Sequence, residues 1–193
     1  MAINPSEFYL HNIIDTCAVW NILSSQILFS RADQSGVMFY CTEFVIYECL
    51  HKKRSAASKC HIKLQNYLRQ LMQQGKFSKF SLSIEDLQEI DRLGNRKRLG
   101  KGELSALAFA MKTGQAFLSD DQKARKLALE VLPTGRTQTT PHLLSWLIFT
   151  GKISDPEKTQ VVEEHKENGG DISPYLELAY QEGCRCRYAS MTI

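Results

Sequence analysis

The chain has 193 residues, which is long enough for one α/β domain with a continuous core and a short appended helical piece. With 43% hydrophobic and 23% charged residues, the composition excludes a disordered or fibrous chain. The net charge of +3 neither indicates nor excludes a polyanionic partner, because total charge does not report where the basic residues lie.

Apolar patterning predicts strands alternating with helices over roughly the first 140 residues. The first strand, 8–14, is aromatic and β-branched, and an apolar run at helical spacing follows it as far as residue 28. A second strand at 37–40 leads into a helix that Thr42 caps. The remaining predicted elements of this part are helix 55–74, strand 77–82, a helix from Ser83 and Asp86 to residue 93, helix 103–113, strand 116–119 and helix 123–129.

The last third of the chain is predicted to be helical. Thr140 before Pro141 starts a helix over 142–149, since proline at the first helical position loses no hydrogen bond. Ser154 with Glu157, and Ser173 before a proline, start two more helices. We therefore divide the chain into an α/β domain, 1–151, and a helical C-terminal extension, 152–193. The extension is amphipathic, and it either packs on its own domain or binds a second copy or a partner protein.

Alternating strands and helices predict a three-layer α/β/α fold with a central, mostly parallel sheet, and such sheets bind ligands beyond the carboxyl ends of their strands. Acidic residues are predicted at this edge. Asp15 follows the first strand, Asp120 and Asp121 follow strand 116–119, and Glu48 and Glu103 lie on helices that return across the same edge.

Carboxylates gathered at one place repel one another unless a cation neutralises them. Oxygen ligands favour hard ions such as Mg²⁺ or Mn²⁺, which activate water for attack on a phosphodiester. Taken singly, an Asp after a strand is commonly a helix cap and a Glu on a helix is usually solvated. Only the joint placement of these acids indicates a hydrolytic metal site.

Four segments carry a family resemblance: IIDTCAVWNIL, FVIYECL, LGKGELSALAFA and FLSDDQKAR. In this order and spacing they resemble the PIN-domain nucleases, including VapC-like toxin ribonucleases, over roughly residues 8–151. The family's first-strand Asp-Thr corresponds to Asp15 and Thr16, and its second-helix acid to Glu48. The third and fourth motifs correspond to Gly100, Gly102 and Glu103, and to Ser119, Asp120 and Asp121.

The resemblance implies an endoribonuclease that depends on Mg²⁺ or Mn²⁺, with catalytic carboxylates at Asp15, Glu48, Glu103 and Asp121. Asp121 is favoured over Asp120 as the direct ligand, with Asp120 capping the helix or ligating through water. Two positions depart from the family pattern, since Cys17 stands where many relatives carry Asn and Ser119 replaces the commoner Thr. Neither departure removes a carboxylate.

Hydroxyl and basic side chains near the acids are candidates for substrate binding. The basic run HKKR, from His51 to Arg54, is a second and weaker candidate for phosphate contact. The substrate-binding candidates are Thr16, Ser119, Arg96, Lys97, Arg98, Lys101 and Arg125.

The expected partners are RNA, an antitoxin or other regulatory protein, and a second copy of the chain. The toxin or effector of a bacterial toxin–antitoxin or defence system is one role that the resemblance suggests. The alternative is a catalytically idle PIN-like module that binds RNA or protein. We expect a cytoplasmic protein, because the start of the chain lacks the pattern of a signal peptide. We expect no membrane span, because the apolar runs are too short. Cys184 and Cys186 lack a second pair for zinc and are interpreted as ordinary thiols.

Overall fold

The computed structural model describes residues 4–52, 58–94 and 99–191. These residues form a five-stranded sheet flanked by helices, which is the expected three-layer α/β/α fold. Every strand pairing is parallel, and the strand order is β3-β2-β1-β4-β5. The strands are β1 (His11–Ile14), β2 (Met38–Thr42), β3 (Phe77–Phe80), β4 (Ala116–Leu118) and β5 (Thr137–Gln138).

Ten helices lie within the described ranges. They are α1 (Thr16–Leu23), α2 (Gln26–Gln34), α3 (Glu43–Leu50), α4 (Lys59–Gln73), α5 (Ile84–Gly94), α6 (Lys101–Thr113), α7 (Gln122–Val131), α8 (Thr140–Phe149), α9 (Asp155–Glu167) and α10 (Ser173–Met191).

Strand β4 is apolar along its length and β1 ends in two apolar residues, because helices cover both faces of the sheet. Ile13, Ile14, Phe117 and Leu118 are completely buried, and Phe39 is almost so. Continuous apolar runs of this kind are typical of parallel strands, whereas a half-exposed strand would alternate apolar and polar residues. Burial therefore makes β1 and β4 the rigid centre of the fold.

Several predicted helix starts are confirmed. The Thr42 side chain accepts a hydrogen bond from the backbone N–H of Val45 at the start of α3. Ser83 and Asp86 each accept a hydrogen bond from the other's backbone N–H at the start of α5. Ser154 and Glu157 form the expected capping box of α9. These interactions are local, so the sequence alone carries them.

Two predicted helix boundaries were wrong, one strand was missed, and β1 begins at His11 rather than at residue 8. The apolar run to residue 28 forms two helices, because the Ser25 side chain accepts a hydrogen bond from the Leu28 N–H and starts α2 anew. Thr139 caps α8, so Thr140 is its first residue rather than its cap. Strand β5 was not predicted. It has only two residues, both polar, although the Gln138 side chain is buried and contacts Asn12.

The strand order creates a topological switch point between β1 and β4. The chain moves outward from β1 to β2 and β3, and then crosses to β4 on the other side of β1. Helices on either side of such a point diverge to opposite faces and leave a crevice at the carboxyl ends of the two strands. The residues directly after β1 and β4 therefore border this crevice.

The helices of the C-terminal extension contact the preceding domain. Helix α9 packs on α2, and α10 packs along α8, where the Gly183 backbone approaches the Ser145 carbonyl. His165 is buried and hydrogen-bonds Ser24 at the end of α1, and burial lowers the pKa of this imidazole. Of the described helices, none combines the length and the apolar character that crossing a membrane requires.

Candidate active site

Asp15 lies at the carboxyl end of β1, directly beside Ser119 at the end of β4. The register pairs Ile14 with Leu118, so the next residue on each strand meets its neighbour across the crevice. One carboxylate oxygen of Asp15 accepts a hydrogen bond from the Ser119 hydroxyl. The other accepts from the backbone N–H of Ala18 at 2.9 Å and from the thiol of Cys17 at 3.1 Å.

The Asp15 carboxyl is completely buried. Burial raises its pKa from 3.8 to about 7, because the charged form loses its hydration. The hydrogen bonds from Ser119, Ala18 and Cys17 oppose this rise, and the negative charge of Asp120 adds to it. Asp15 is therefore a carboxylate that the fold holds at an energetic cost, which a nearby cation would reduce.

Glu48, on α3, is held by groups from two other elements. The Thr16 hydroxyl donates a hydrogen bond of 2.6 Å to one carboxylate oxygen, and the Gly102 N–H donates one of 3.3 Å to the other. A Cβ at Gly102 would lie 2.3 Å from Oε2 of Glu48 and 3.0 Å from the Thr16 hydroxyl. Glycine at residue 102 thus leaves the space that this carboxylate occupies.

Glu103 lies in the first turn of α6, where the helix dipole favours a negative charge. Its carboxylate accepts a hydrogen bond of 2.7 Å from the Gly100 N–H. Burial raises the pKa of Glu103, and the negative charges of Asp121 and Glu48 raise it further. A Cβ at Gly100 would lie within 4 Å of both the Glu103 and Glu48 carboxylates. These two acids therefore share one side of the crevice.

Asp120 and Asp121 follow β4 and have different surroundings. Asp120 accepts hydrogen bonds from the Thr140 N–H at 2.9 Å, the Thr140 hydroxyl at 2.6 Å and the Asn21 amide at 2.9 Å. Asp121 is the N-cap of α7, where it accepts a hydrogen bond of 2.8 Å from the Ala124 N–H. The expectation that Asp120 caps this helix was wrong. Asp120 instead joins β4 to α1 and α8.

This difference predicts separate phenotypes for the two aspartates. Asp120→Ala leaves Thr140 and Asn21 without their acceptor, so we expect a loss of about 2 kcal/mol in the free energy of unfolding. Asp121→Asn keeps an oxygen that can cap α7, so stability should change little. Thermal unfolding and RNA cleavage of both variants check this. The PIN-domain resemblance implies that Asp121→Asn loses metal-dependent RNA cleavage, and cleavage undiminished by this substitution would contradict Asp121 as the direct metal ligand.

Thr16 and Ser119, expected to bind substrate, both donate hydrogen bonds to carboxylates. Their hydroxyls orient Glu48 and Asp15. The Arg125 guanidinium binds the backbone carbonyls of Ser119 and Asp120, which keeps a positive charge at this edge of the sheet. Lys101 lies exposed at the start of α6. Arg96, Lys97 and Arg98, together with Lys53 and Arg54 of the HKKR run, lie outside the described residues.

The donor set suits a hard divalent cation, because Asp15, Glu48, Glu103 and Asp121 offer only oxygen. Within residues 4–52, 58–94 and 99–191, no three acidic, cysteine or histidine side chains stand close enough together to hold a metal ion. The carboxylate oxygens of Asp15 and Glu48 instead accept hydrogen bonds from protein hydroxyl and backbone N–H groups. Binding an ion at this edge would require the side chains to turn toward one another.

The fold and the site define an α/β/α protein with an acidic crevice at its topological switch point. Comparisons with family models, with curated proteins and with solved structures found no significant match to the chain. The PIN-domain resemblance therefore remains a prediction from the four sequence segments.

Sequence reasoning missed the residues that hold the acids in place. Asn21 and Thr140 bind Asp120 from 99 and 20 positions away, so no local pattern identifies them. Gly102 was assigned to a motif without its steric role, which depends on contact with α3. One signal could have pointed to Asn21. It lies four residues after Cys17, which is next to Asp15 and Thr16 in the first motif, and this helical spacing places both side chains on the same side of α1.

Proposed function

We propose that this chain is a divalent-metal-dependent endoribonuclease that hydrolyses RNA phosphodiester bonds. One observation supports the hydrolytic site above all others. Four acids from separate parts of the chain lie near one another. Ser119 contacts both the Asp15 carboxylate and the Asp121 N–H. Thr16 and Gly102 bind the Glu48 carboxylate, and the negative charges of Glu48 and Asp121 both act on Glu103. The choice of RNA as substrate rests on the resemblance to PIN-domain nucleases.

The four carboxylates would hold Mg²⁺ or Mn²⁺, which supplies an activated water and stabilises the leaving oxygen. The protein's own part is orientation. Thr16 fixes one oxygen of Glu48, and Ser119 fixes one oxygen of Asp15 while it accepts a hydrogen bond of 3.1 Å from the Asp121 N–H. Arg125 and Lys101 add positive charge that attracts the phosphate backbone.

Two substitutions test the proposal. Asp15→Asn and Glu103→Gln remove negative charge at nearly constant shape, so each should reduce Mg²⁺- or Mn²⁺-dependent RNA cleavage by at least about a hundredfold. Cleavage of a labelled RNA with the metal and with EDTA gives the measurement. Unchanged activity in both variants, with both folded, would contradict the assignment of the site.

A binding module without catalysis is the second candidate function. It is favoured by the protein donors that already occupy the carboxylates of Asp15 and Glu48. Calorimetry with Mg²⁺ and Mn²⁺, alongside RNA affinity in EDTA, separates the two candidates. Absence of metal binding together with undiminished RNA affinity would favour the module.

We further propose a cytosolic role in which a partner protein restrains the enzyme, as for the toxin or effector of a toxin–antitoxin or defence system. Co-expression with the product of an adjacent small open reading frame tests this role. Relief of growth inhibition by that product would support a toxin.

A further inference from the structure

A groove of about 640 Å³ adjoins the acidic crevice. It lies between α3, α5 and the start of α6. Its lining includes Glu48 and also Gly100, whose N–H binds Glu103. Its volume falls within the range of about 300–1,000 Å³ that is usual for small-molecule sites. Because Glu48 is both a lining residue of the groove and one of the proposed metal ligands, the groove adjoins the proposed position of the phosphate.

The walls of the groove expose apolar and aromatic surface. The Tyr47 side chain is 56% exposed and Leu87 is 46% exposed, and Phe44 lies half-buried beside them. Tyr47 on α3 stacks on His51, the residue that follows this helix, at 6.3 Å between ring centroids. An exposed aromatic face next to an apolar wall suits a flat, uncharged ring.

Two lysines and two glutamates lie among the residues that line the groove. Lys52 and Lys101 line it, and the Lys101 ammonium lies 5.8 Å from the centroid of the Phe44 ring. The carboxylate of Glu43 on the same rim has a neutralising partner in Lys79 at 3.6 Å. Cations at the rim and aromatic rings inside are the combination that binds single-stranded nucleic acid.

We propose that this groove binds one unpaired nucleobase of the RNA, next to the phosphate at the acidic crevice. Tyr47 stacks on the base, and Lys52 and Lys101 contact the flanking phosphates. The inference rests on the proposed function for the position of the phosphate. If one base enters the groove, the substrate must be single-stranded there, because the bases of a duplex are stacked on one another and cannot enter.

Binding in EDTA tests the groove separately from cleavage. Fluorescence anisotropy with a short labelled single-stranded RNA compares the unaltered chain with Tyr47→Ala, Tyr47→Phe and Tyr175→Ala. Loss of one base stack should weaken binding about tenfold in Tyr47→Ala. Tyr47→Phe keeps the ring, and Tyr175→Ala removes a similarly exposed tyrosine on α10, so neither should weaken binding. Circular dichroism checks that each variant is folded.

An RNA series that lacks one base at successive positions sharpens this test. At the position that enters the groove, base removal and Tyr47→Ala should not add, because both remove the same stack. Equal RNA affinity of Tyr47→Ala and the unaltered chain would overturn the inference. So would binding losses from base removal and Tyr47→Ala that add fully at every position. Either result would favour an apolar protein segment as the occupant of the groove. Metal-dependent cleavage without this non-additivity would refute base binding in the groove and leave the proposed nuclease activity standing. Non-additivity without cleavage would support base binding in the groove and refute the proposed nuclease activity.

Discussion

Gly102→Ala is expected to reduce RNA cleavage by about tenfold to a hundredfold while the chain stays folded. A Cβ at residue 102 would lie 2.3 Å from the Glu48 carboxylate, which is the end of a flexible side chain and can move away. The loss would therefore fall on the position of Glu48 rather than on the core. Alanine also has the higher helix propensity, so the thermal stability of α6 should not fall.

Gly94→Ala is the matched control for this substitution. Gly94 is also helical, and its Cβ would meet only the Leu104 side chain, at an ordinary contact distance of 3.4 Å. Cleavage and thermal unfolding should be measured for both variants. Equal activity of Gly102→Ala and Gly94→Ala would show that the position of Glu48 does not matter to the reaction.

Asp15→Asn is expected to stabilise the metal-free chain at alkaline pH. The pKa of Asp15 rises from 3.8 in the unfolded chain to about 7 in the fold, so the fold favours the protonated carboxyl. The stability contributed by this group is complete below about pH 4 and is lost as pH rises toward 7, up to about 4 kcal/mol. Asparagine carries no charge and escapes this loss.

Thermal unfolding in EDTA across pH 4 to pH 8 measures this effect as the difference between the variant and the unaltered chain. Up to about 10 °C of difference in Tm is expected at the alkaline end, and little at the acidic end. His165 titrates in both proteins and cancels from the difference. Mg²⁺ should then raise the Tm of the unaltered chain alone. A Tm difference that does not change with pH would contradict the raised pKa.

These two predictions describe one property of the crevice. Asp15 destabilises the fold when ionised, and Gly102 makes room for a second carboxylate where alanine would suit the helix better. Sites that work against the local stability of the fold are commonly functional.

The sequence was sufficient for many of the local interactions, although the helix caps at Ser25 and Thr139 were missed. The capping residues Thr42, Ser83 and Ser154 act within one helical turn, and the apolar runs of β1 and β4 mark buried strands without reference to their neighbours. Hydrophobic periodicity and capping therefore predicted the α/β/α class and placed Asp15 at a strand end.

The long-range contacts of the acids were decided only by tertiary structure. Strand order brings Asp15 beside Ser119, 104 positions later, and packing of α6 on α3 places Gly102 against Glu48. Asp120 is held by Thr140 and Asn21, whose hydrogen bonds form across three elements, whereas Asp121 caps α7. Local chemistry in the sequence determined which acids follow strands and begin helices. Long-range packing decided which carboxylates share the crevice, because those distances exist only after the chain has crossed the sheet.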